Sequence, residues 1–222
     1  INLIDFPADV TVSCLDPNID PSVTGEPTYE GEPLGYACQY VIFHSDQVVP
    51  MCNGAQKILR LWTIMDWCNS AQRTDVQEIL IIDNVPPVIT CPVNVTIDAN
   101  LPGCTAKYTF PTPVVTDACA PTAMIDIDIF VSGVPGIFSP GDMVNLGLGT
   151  IVITVRATDP CQNTSQCQYT VTVRDNTPPI PICHSVTVGL GADGMGFLFA
   201  NILDFNIVEN CGILNKQIWR MT

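Results

Sequence analysis

A nine-residue phrase occurs twice in the chain. Asp83-Asn84-Val85-Pro86-Pro87-Val88-Ile89-Thr90-Cys91 returns as Asp175-Asn176-Thr177-Pro178-Pro179-Ile180-Pro181-Ile182-Cys183, 92 residues later. Self-similarity at a fixed period of this kind marks a chain built from repeated modules. The same register carries Cys119, in Asp117-Ala118-Cys119, onto Cys211, in Glu209-Asn210-Cys211. Looking backwards, Asp66 in MDWCNS aligns with Asp159 in TDPCQN, and each precedes a run that ends at Asp83 or Asp175. The chain therefore reads as a divergent copy over 1–83, a full copy over 84–175 and the front half of a third over 176–222. It begins at Ile1 with neither Met nor signal peptide and has an odd number of cysteines, so the expectation is a processed chain or a piece cut from a longer one.

The copies read as all-β. Nineteen prolines and fifteen glycines punctuate short runs rich in Val, Ile and Thr, and no segment sustains a 3.6-residue period. In YTVTVRD, Tyr169, Val171 and Val173 point to one face and Thr170, Thr172 and Arg174 to the other, which predicts that the first set is core. Ile79 and Ile81 take the corresponding places in the first copy. Ile125, Ile127 and Ile129 alternate with Asp126 and Asp128, whose carboxylates read as a solvated strand face. The Pro86-Pro87 and Pro178-Pro179 pairs cannot donate ladder hydrogen bonds and suit stiff linkers, so the expectation is a rod of sandwiches.

Composition bounds the function. Aspartate and glutamate outnumber lysine and arginine by 22 to 8, a formal charge of −14, so nucleic acid or an anionic bilayer is repelled. Eleven cysteines without a C-x-x-C pair point to disulfides in an oxidising compartment, hence an extracellular or cell-surface protein. No apolar run is long enough to predict a membrane-spanning helix.

Three stretches carry a family resemblance: Asp83, Pro86, Pro87, Cys91 and Pro92; Phe110, Pro113, Asp117 and Cys119; and Gly149, Thr158, Asp159, Cys161, Asn163 and Cys167. In this order they resemble the hyalin repeat, an immunoglobulin-like β-sandwich. The first copy departs from the pattern, with Phe6 where Cys91 would align. Its segment with Gly25, Pro27, Cys38, Asp46, Cys52, Arg60, Trp62 and Cys68 resembles variants in long bacterial surface proteins. The resemblance implies tandem sandwiches with adhesive or structural roles at cell surfaces and in extracellular matrices, and no catalytic residues.

In such a sandwich the B–C and F–G loops lie at one end, which would bring Cys119 near Cys161 and, in the first copy, Cys38 near Cys68. Cys91 with Cys167 and Cys104 with Cys183 complete this scheme. A competing one bridges each copy to the next, Cys14 to Cys91 and Cys104 to Cys183, with Cys52 and Cys167 differently occupied; connectivity stays open at this stage.

Other motifs divide between a chemical and a structural reading. Gly189-Leu190-Gly191-Ala192-Asp193-Gly194 fits G-x-G-x-x-G, but the apolar run after it is strand-like rather than a helix that would receive a pyrophosphate, so a hairpin turn is expected. His44 and His184, the only histidines, have no metal-ligand spacing. Asp66, Asp83, Asn84, Asp159, Asp175 and Asn176 gather near the copy boundaries, where oxygen ligands could hold calcium; Asp83, Asp159 and Asp175 are the candidates. The competing reading is that these side chains cap turns and strand ends. Asn94-Val95-Thr96 and Asn163-Thr164-Ser165 are glycosylation sequons.

The third copy offers strands in HSVTV, GFLFA and KQIWRM, with Val186, Val188, Phe197, Phe199 and Trp219 on apolar faces that need a cover. Continuation of the same chain supplies one; strands from a neighbour, in head-to-tail self-association, supply another. The sequence thus favours a structural filament or stalk segment. A surface adhesin for glycan or protein ligands is the alternative, and an accessory of a secreted enzyme a third.

Overall fold

The computed structural model describes residues 3–34, 40–100, 102–182, 186–197, 207–209 and 211–212. β-branched runs ended by proline, glycine or aspartate become short strands. The chain divides into two compact units. The first comprises Ile1–Cys91, Pro113–Asp128 and Val155–Cys167, and the second Pro92–Thr112, Ile129–Thr154 and Gln168–Thr222. These units interleave along the sequence and do not follow the 92-residue period.

In the first copy, strands β1 (Ile4–Asp5), β3 (Thr28–Tyr29) and β4 (Glu32–Pro33) form one sheet. A second sheet has the order β2-β7-β6-β5, from β2 (Val10–Ser13), β5 (Tyr40–Pro50), β6 (Gln56–Asp66) and β7 (Ala71–Ile82). Strand β2 runs parallel to β7, and the other pairs in this sheet are antiparallel. A single helical turn, α1 (Pro21–Thr24), starts where the Asp20 carboxylate accepts from the Ser22 N–H and proline takes the first helical position.

Alternation along β6 and β7 puts Ile58, Arg60, Trp62 and Ile64 on the buried face together with Gln77, Ile79 and Ile81. Ile58, Ile79 and Ile81 pack with Val10, Val12 and Ile19 at one end, and Ile4, Leu34 and Ile64 with Phe6, Tyr29 and Tyr40 at the other. A polar layer separates the two clusters. Arg60 donates from Nε and a terminal nitrogen to the two Asp46 oxygens, each at 2.8 Å, and from its other terminal nitrogen to Thr24 Oγ1. Gln77 accepts from Trp62 Nε1 and donates to the carbonyls of Ala8 and Thr24. This layer satisfies every group it buries, the condition under which buried polarity is tolerated.

The 84–175 copy repeats the plan. Strands β8 (Val88–Thr90) and β11 (Val114–Thr116) pair, as do β10 (Thr105–Thr109) and β14 (Met143–Gly147). A five-stranded sheet has the order β13-β12-β15-β16-β9, from β9 (Val95–Asp98), β12 (Asp126–Val131), β13 (Val134–Phe138), β15 (Gly149–Thr158) and β16 (Thr164–Arg174). Val95 faces Val171 in a parallel pair, as Val10 faces Ile79 in the first copy. Tyr169, Val171 and Val173 are buried with Ile129, Ile153 and Leu146, and Ile79 and Ile81 are buried in the first copy. Among the described residues the regular structure is almost entirely strand, the all-β class that the sequence predicts.

The third copy departs from expectation. Among the described residues it holds no ladder, only an isolated antiparallel bridge between Ile180 and Val208. Residues 186–188 and 196–197, expected as strands, are irregular, since a strand exists only where a partner takes its backbone groups. Val186 and Val188 are half-buried and Phe197 is 75% exposed, while Phe199, Trp219 and the KQIWRM stretch lie outside the described residues.

Candidate functional site at the acidic, disulfide-clamped linker

Residues 83–87 follow β7 and open the second copy. The Asp83 carboxylate accepts the Val85 N–H at 3.1 Å through Oδ1, and the Cys14 N–H donates to the Ile82 carbonyl at 2.9 Å. Asn163 donates one amide group both to the Asp83 carbonyl, at 3.1 Å, and to Asp159 Oδ2, at 2.8 Å, while its own N–H goes to Asp159 Oδ1. Asp66 performs the same task in the first copy, accepting from the N–H of Cys68 and the side chain of Asn69. The turn-capping reading of these aspartates therefore holds for Asp66 and Asp159.

Two disulfides clamp the segment. Cys14, at the end of β2, joins Cys119 with 5.7 Å between their Cα atoms, and Cys52, in the β5–β6 turn, joins Cys161 at 5.2 Å. Cys91 joins Cys167 at 5.8 Å. The scheme that pairs Cys119 with Cys161 is corrected. Each is held in its own aspartate-capped turn, by Asp117 and Asp159, and each reaches a first-copy cysteine instead of the other. Cys14 does not pair with Cys91. In the second unit Cys104 joins Cys211, in place of the expected Cys183, which lies outside the described residues. Cys68 is exposed as a free thiol, and its expected partner Cys38 lies outside the described residues. The signal for the observed connectivity was in the repeat register. Cys119 and Cys211 are 92 residues apart, and their partners Cys14 and Cys104 differ by nearly the same step.

Beside these bridges Asp83 brings a carboxylate oxygen within 4.8 Å of the Cys14 and Cys119 sulfurs. Asp83 and Asp159 are buried and Asp117 is half-buried. Burial pushes the Asp83 carboxyl above the usual carboxylate range against the pull of the Val85 N–H, and the charges of Asp159 and Asp117 push it the same way. The clamp also borders an open cleft of about 380 Å³, lined by Cys14, Cys52, Asn53, Gly54, Ala118 and Cys119 among others. Sequence reasoning singled out Asp83 and Asp159 but missed Asp117, which looks like an ordinary turn cap in Asp-Ala-Cys. Asp175 is exposed and caps the Thr177 N–H in the way Asp83 caps Val85.

The remaining candidates are placed as follows. Asn94 is exposed, with Oδ1 accepting the Thr170 N–H, whereas the Asn163 amide is spent on Asp159 and Asp83. Gly191 and Gly194 form a tight turn, with the Gly191 N–H on the Met195 carbonyl and Gly194 at φ +76°, and residues 195–197 are not helical. His44 packs against Trp62, ring centroids 5.0 Å apart; His184 lies outside the described residues.

The clamped linker and the buried Tyr169–Val173 face fall within a segment with a family match. Residues 82–173 match the HYR domain. The HYR segment covers the whole 84–175 copy but for its last two residues, and the hyalin-repeat resemblance of those residues is thereby shown. Among curated proteins none matches the chain. Solved structures similar to it include a human CDH23 EC21-23 crystal structure, 14% identical with a TM-score of 0.37, covering 83% of this chain and 77% of that one. A fragment of PcdhgB3, EC1-4, is 11% identical with a TM-score of 0.34; the match covers 83% of this chain, which spans about half, 52%, of that fragment. A chimeric titin Z1Z2 tandem is 11% identical with a TM-score of 0.27, covering 61% of this chain and 85% of that one. Among the described residues no helix is long and apolar enough to cross a membrane.

Proposed function

We propose that this chain is a non-catalytic structural segment of an extracellular surface filament or stalk, made of hyalin-like sandwiches over 1–83, 84–175 and 176–222. The observation that carries this reading is the clamp. Cys14–Cys119 and Cys52–Cys161 tie the first copy covalently to the HYR segment, closing loops of 105 and 109 residues. Tension on such a chain is borne by covalent bonds where one module hands over to the next. The cysteine use supports an oxidising, extracellular setting.

The finer part of the proposal concerns the third copy. Ile180, Leu190, Met195 and Phe197 are all exposed there, at 61%, 72%, 64% and 75%. Strands from a neighbouring subunit or from the same chain cover them, and a neighbour's strands would propagate head-to-tail polymers. Electron microscopy of the secreted, non-reduced protein, with an intact mass of the same sample, tests this. Ordered filaments support the reading, and monodisperse single particles at high concentration overturn it.

A second reading, adhesion to a protein or glycan surface, is favoured by one observation. On the solvent face of the β5-β6-β7 sheet, Val41, Phe43, Leu61 and Val76 stay 38–50% exposed, more apolar surface than a solvated sheet face needs. Monomeric protein that loses binding to an immobilised ligand on Phe43→Ser substitution would favour it over the filament.

A further inference from the structure

We propose that the outer edge of β5 pairs with the β5 of a second molecule of this chain, antiparallel and two-fold about Ser45. The two copies differ at this edge. In the 84–175 copy the sheet runs β13-β12-β15-β16-β9, so β13 takes the outer side of β12. The first copy has the counterpart order β5-β6-β7-β2, with β2 parallel to β7 as β9 is to β16. Strand β5 stands where β12 does, and among the described residues no strand stands where β13 does. Alternate residues of β5 therefore turn an N–H and a C=O away from β6 with no ladder to join.

Nothing in β5 blunts that edge. Its eleven residues pair with β6 in one unbroken register, from Tyr40 opposite Asp66 to Pro50 opposite Gln56. It contains no lysine or arginine, its one proline is its last residue, and its one carboxylate, Asp46, is engaged by Arg60 of its own sheet. Lysine, internal proline, bulges or shortness are what protect a free edge. The contrast is β13, five residues long, with Pro135 and Gly136 inside it and a register shift against β12. Residues 43–50 of β5 are exposed on both faces, Phe43 and Val49 on the side of Leu61 and Val48, at 56%, on the side of Trp62.

The strand's own sequence identifies the occupant. Laid antiparallel on itself about Ser45, β5 sets Val41 opposite Val49, Ile42 opposite Val48, Phe43 opposite Gln47 and His44 opposite Asp46. Directly opposed residues share a face, so apolar meets apolar at both ends and, nearer the axis, an imidazole meets a carboxylate twice by symmetry. Moving the axis by one residue loses this match. About residue 44, His44 faces itself and Asp46 faces Ile42; about residue 46, Asp46 faces itself and His44 faces Val48. Two such strands in full register exchange about ten backbone hydrogen bonds. A two-fold contact closes after two molecules, so this inference does not rest on the filament reading, in which third-copy contacts propagate.

The test is cross-linking of the full, folded chain. On the axis, position 45 of one molecule lies opposite position 45 of the other at about 5 Å between Cα atoms, within disulfide reach. Ser45→Cys under air oxidation should give a dimer whose 45–45 bridge is read by non-reducing peptide mapping. Phe43→Cys should not bridge to itself, because its counterpart lies four residues along the other strand. Val48→Lys, at an exposed site, should weaken the dimer at least tenfold in sedimentation equilibrium and abolish the bridge when combined with Ser45→Cys, with an unchanged Tm in dilute solution. Phe197→Ser, in the third copy, should leave the bridge intact, which separates this contact from polymer formation. Folded Ser45→Cys chain that forms no 45–45 bridge overturns the proposal, as does a dimer that survives Val48→Lys or a self-bridge in Phe43→Cys.

Discussion

Asp46 and Arg60 face each other across β5 and β6 at the centre of the first copy, where the arginine side chain is 2% exposed and the aspartate 25%. The hydrogen bonds from Arg60 hold the Asp46 carboxyl below the usual range, against the opposing effect of burial and with help from the Arg60 charge. A folded-state value below the ordinary one, about 3.9, contributes stability that is present above that value and lost as pH falls through the depressed one. Asp46→Asn should therefore cost about 3 kcal/mol at pH 6, because it leaves a buried guanidinium without its partner. In urea unfolding at descending pH, the gap between parent and variant should narrow below about pH 4. A gap that stays constant to pH 2 would show that the pair contributes by packing alone. The two sequons make a second prediction at this scale. Expressed through a eukaryotic secretory pathway, the chain should carry glycan at Asn94, whose amide is exposed, and none at Asn163, whose amide nitrogen is committed to Asp159 and Asp83. Glycopeptide mass spectrometry reads both sites.

At the scale of elements, the β5–β6 turn carries both the Cys52 bridge and Gly54, which sits at φ +109° with the Asp83 carboxylate against its Cα. Gly54→Ala forces an L side chain into the left-handed region and into Asp83, and should cost about 1–3 kcal/mol, read as a lower urea midpoint at unchanged slope. The strands themselves were legible because alternation is local. Tyr169, Val171 and Val173 announce a buried face with no knowledge of the partner sheet, and Ile79 and Ile81 do so in the first copy. The bridges were less legible because connectivity depends on where loops of different copies meet. Cys119 and Cys161 fall in loops expected at one end of a sandwich, which made them look like partners, yet each reaches back to a different first-copy element. Asp117 went unseen for a related reason: a residue that caps a turn with one oxygen gives no sequence sign that the other is buried and unpaired. Among the described residues the third-copy strands expected at 186–188 and 196–197 are irregular because a pattern of apolar residues specifies a face, not the neighbour whose backbone must complete the ladder.

For the whole molecule, the decisive quantities are the disulfides and the net charge of −14. Loops of 105 and 109 residues lose much of their unfolded-state freedom when closed, so replacing both Cys52 and Cys161 by alanine should remove up to about 4 kcal/mol, seen as a lower Tm with the Cys14–Cys119 bridge still present in a non-reducing peptide map. The charge bears on assembly. Each chain that joins a polymer brings 22 acidic against 8 basic side chains to its neighbours, so the contacts that hold a filament must overcome mutual repulsion. Exposed apolar residues such as Phe197 and Leu190 supply an attraction that salt does not weaken, whereas the repulsion is screened beyond about 10 Å at 0.1 M salt. Polymer mass, followed by light scattering in EDTA so that no divalent cation contributes, should therefore rise as sodium chloride is raised from about 10 mM to about 300 mM, where the Debye length falls from about 30 Å to well under 10 Å. Assembly that instead dissolves on adding salt would mean that complementary charges hold the subunits together, and the apolar third-copy surface would then have to be covered within the same chain.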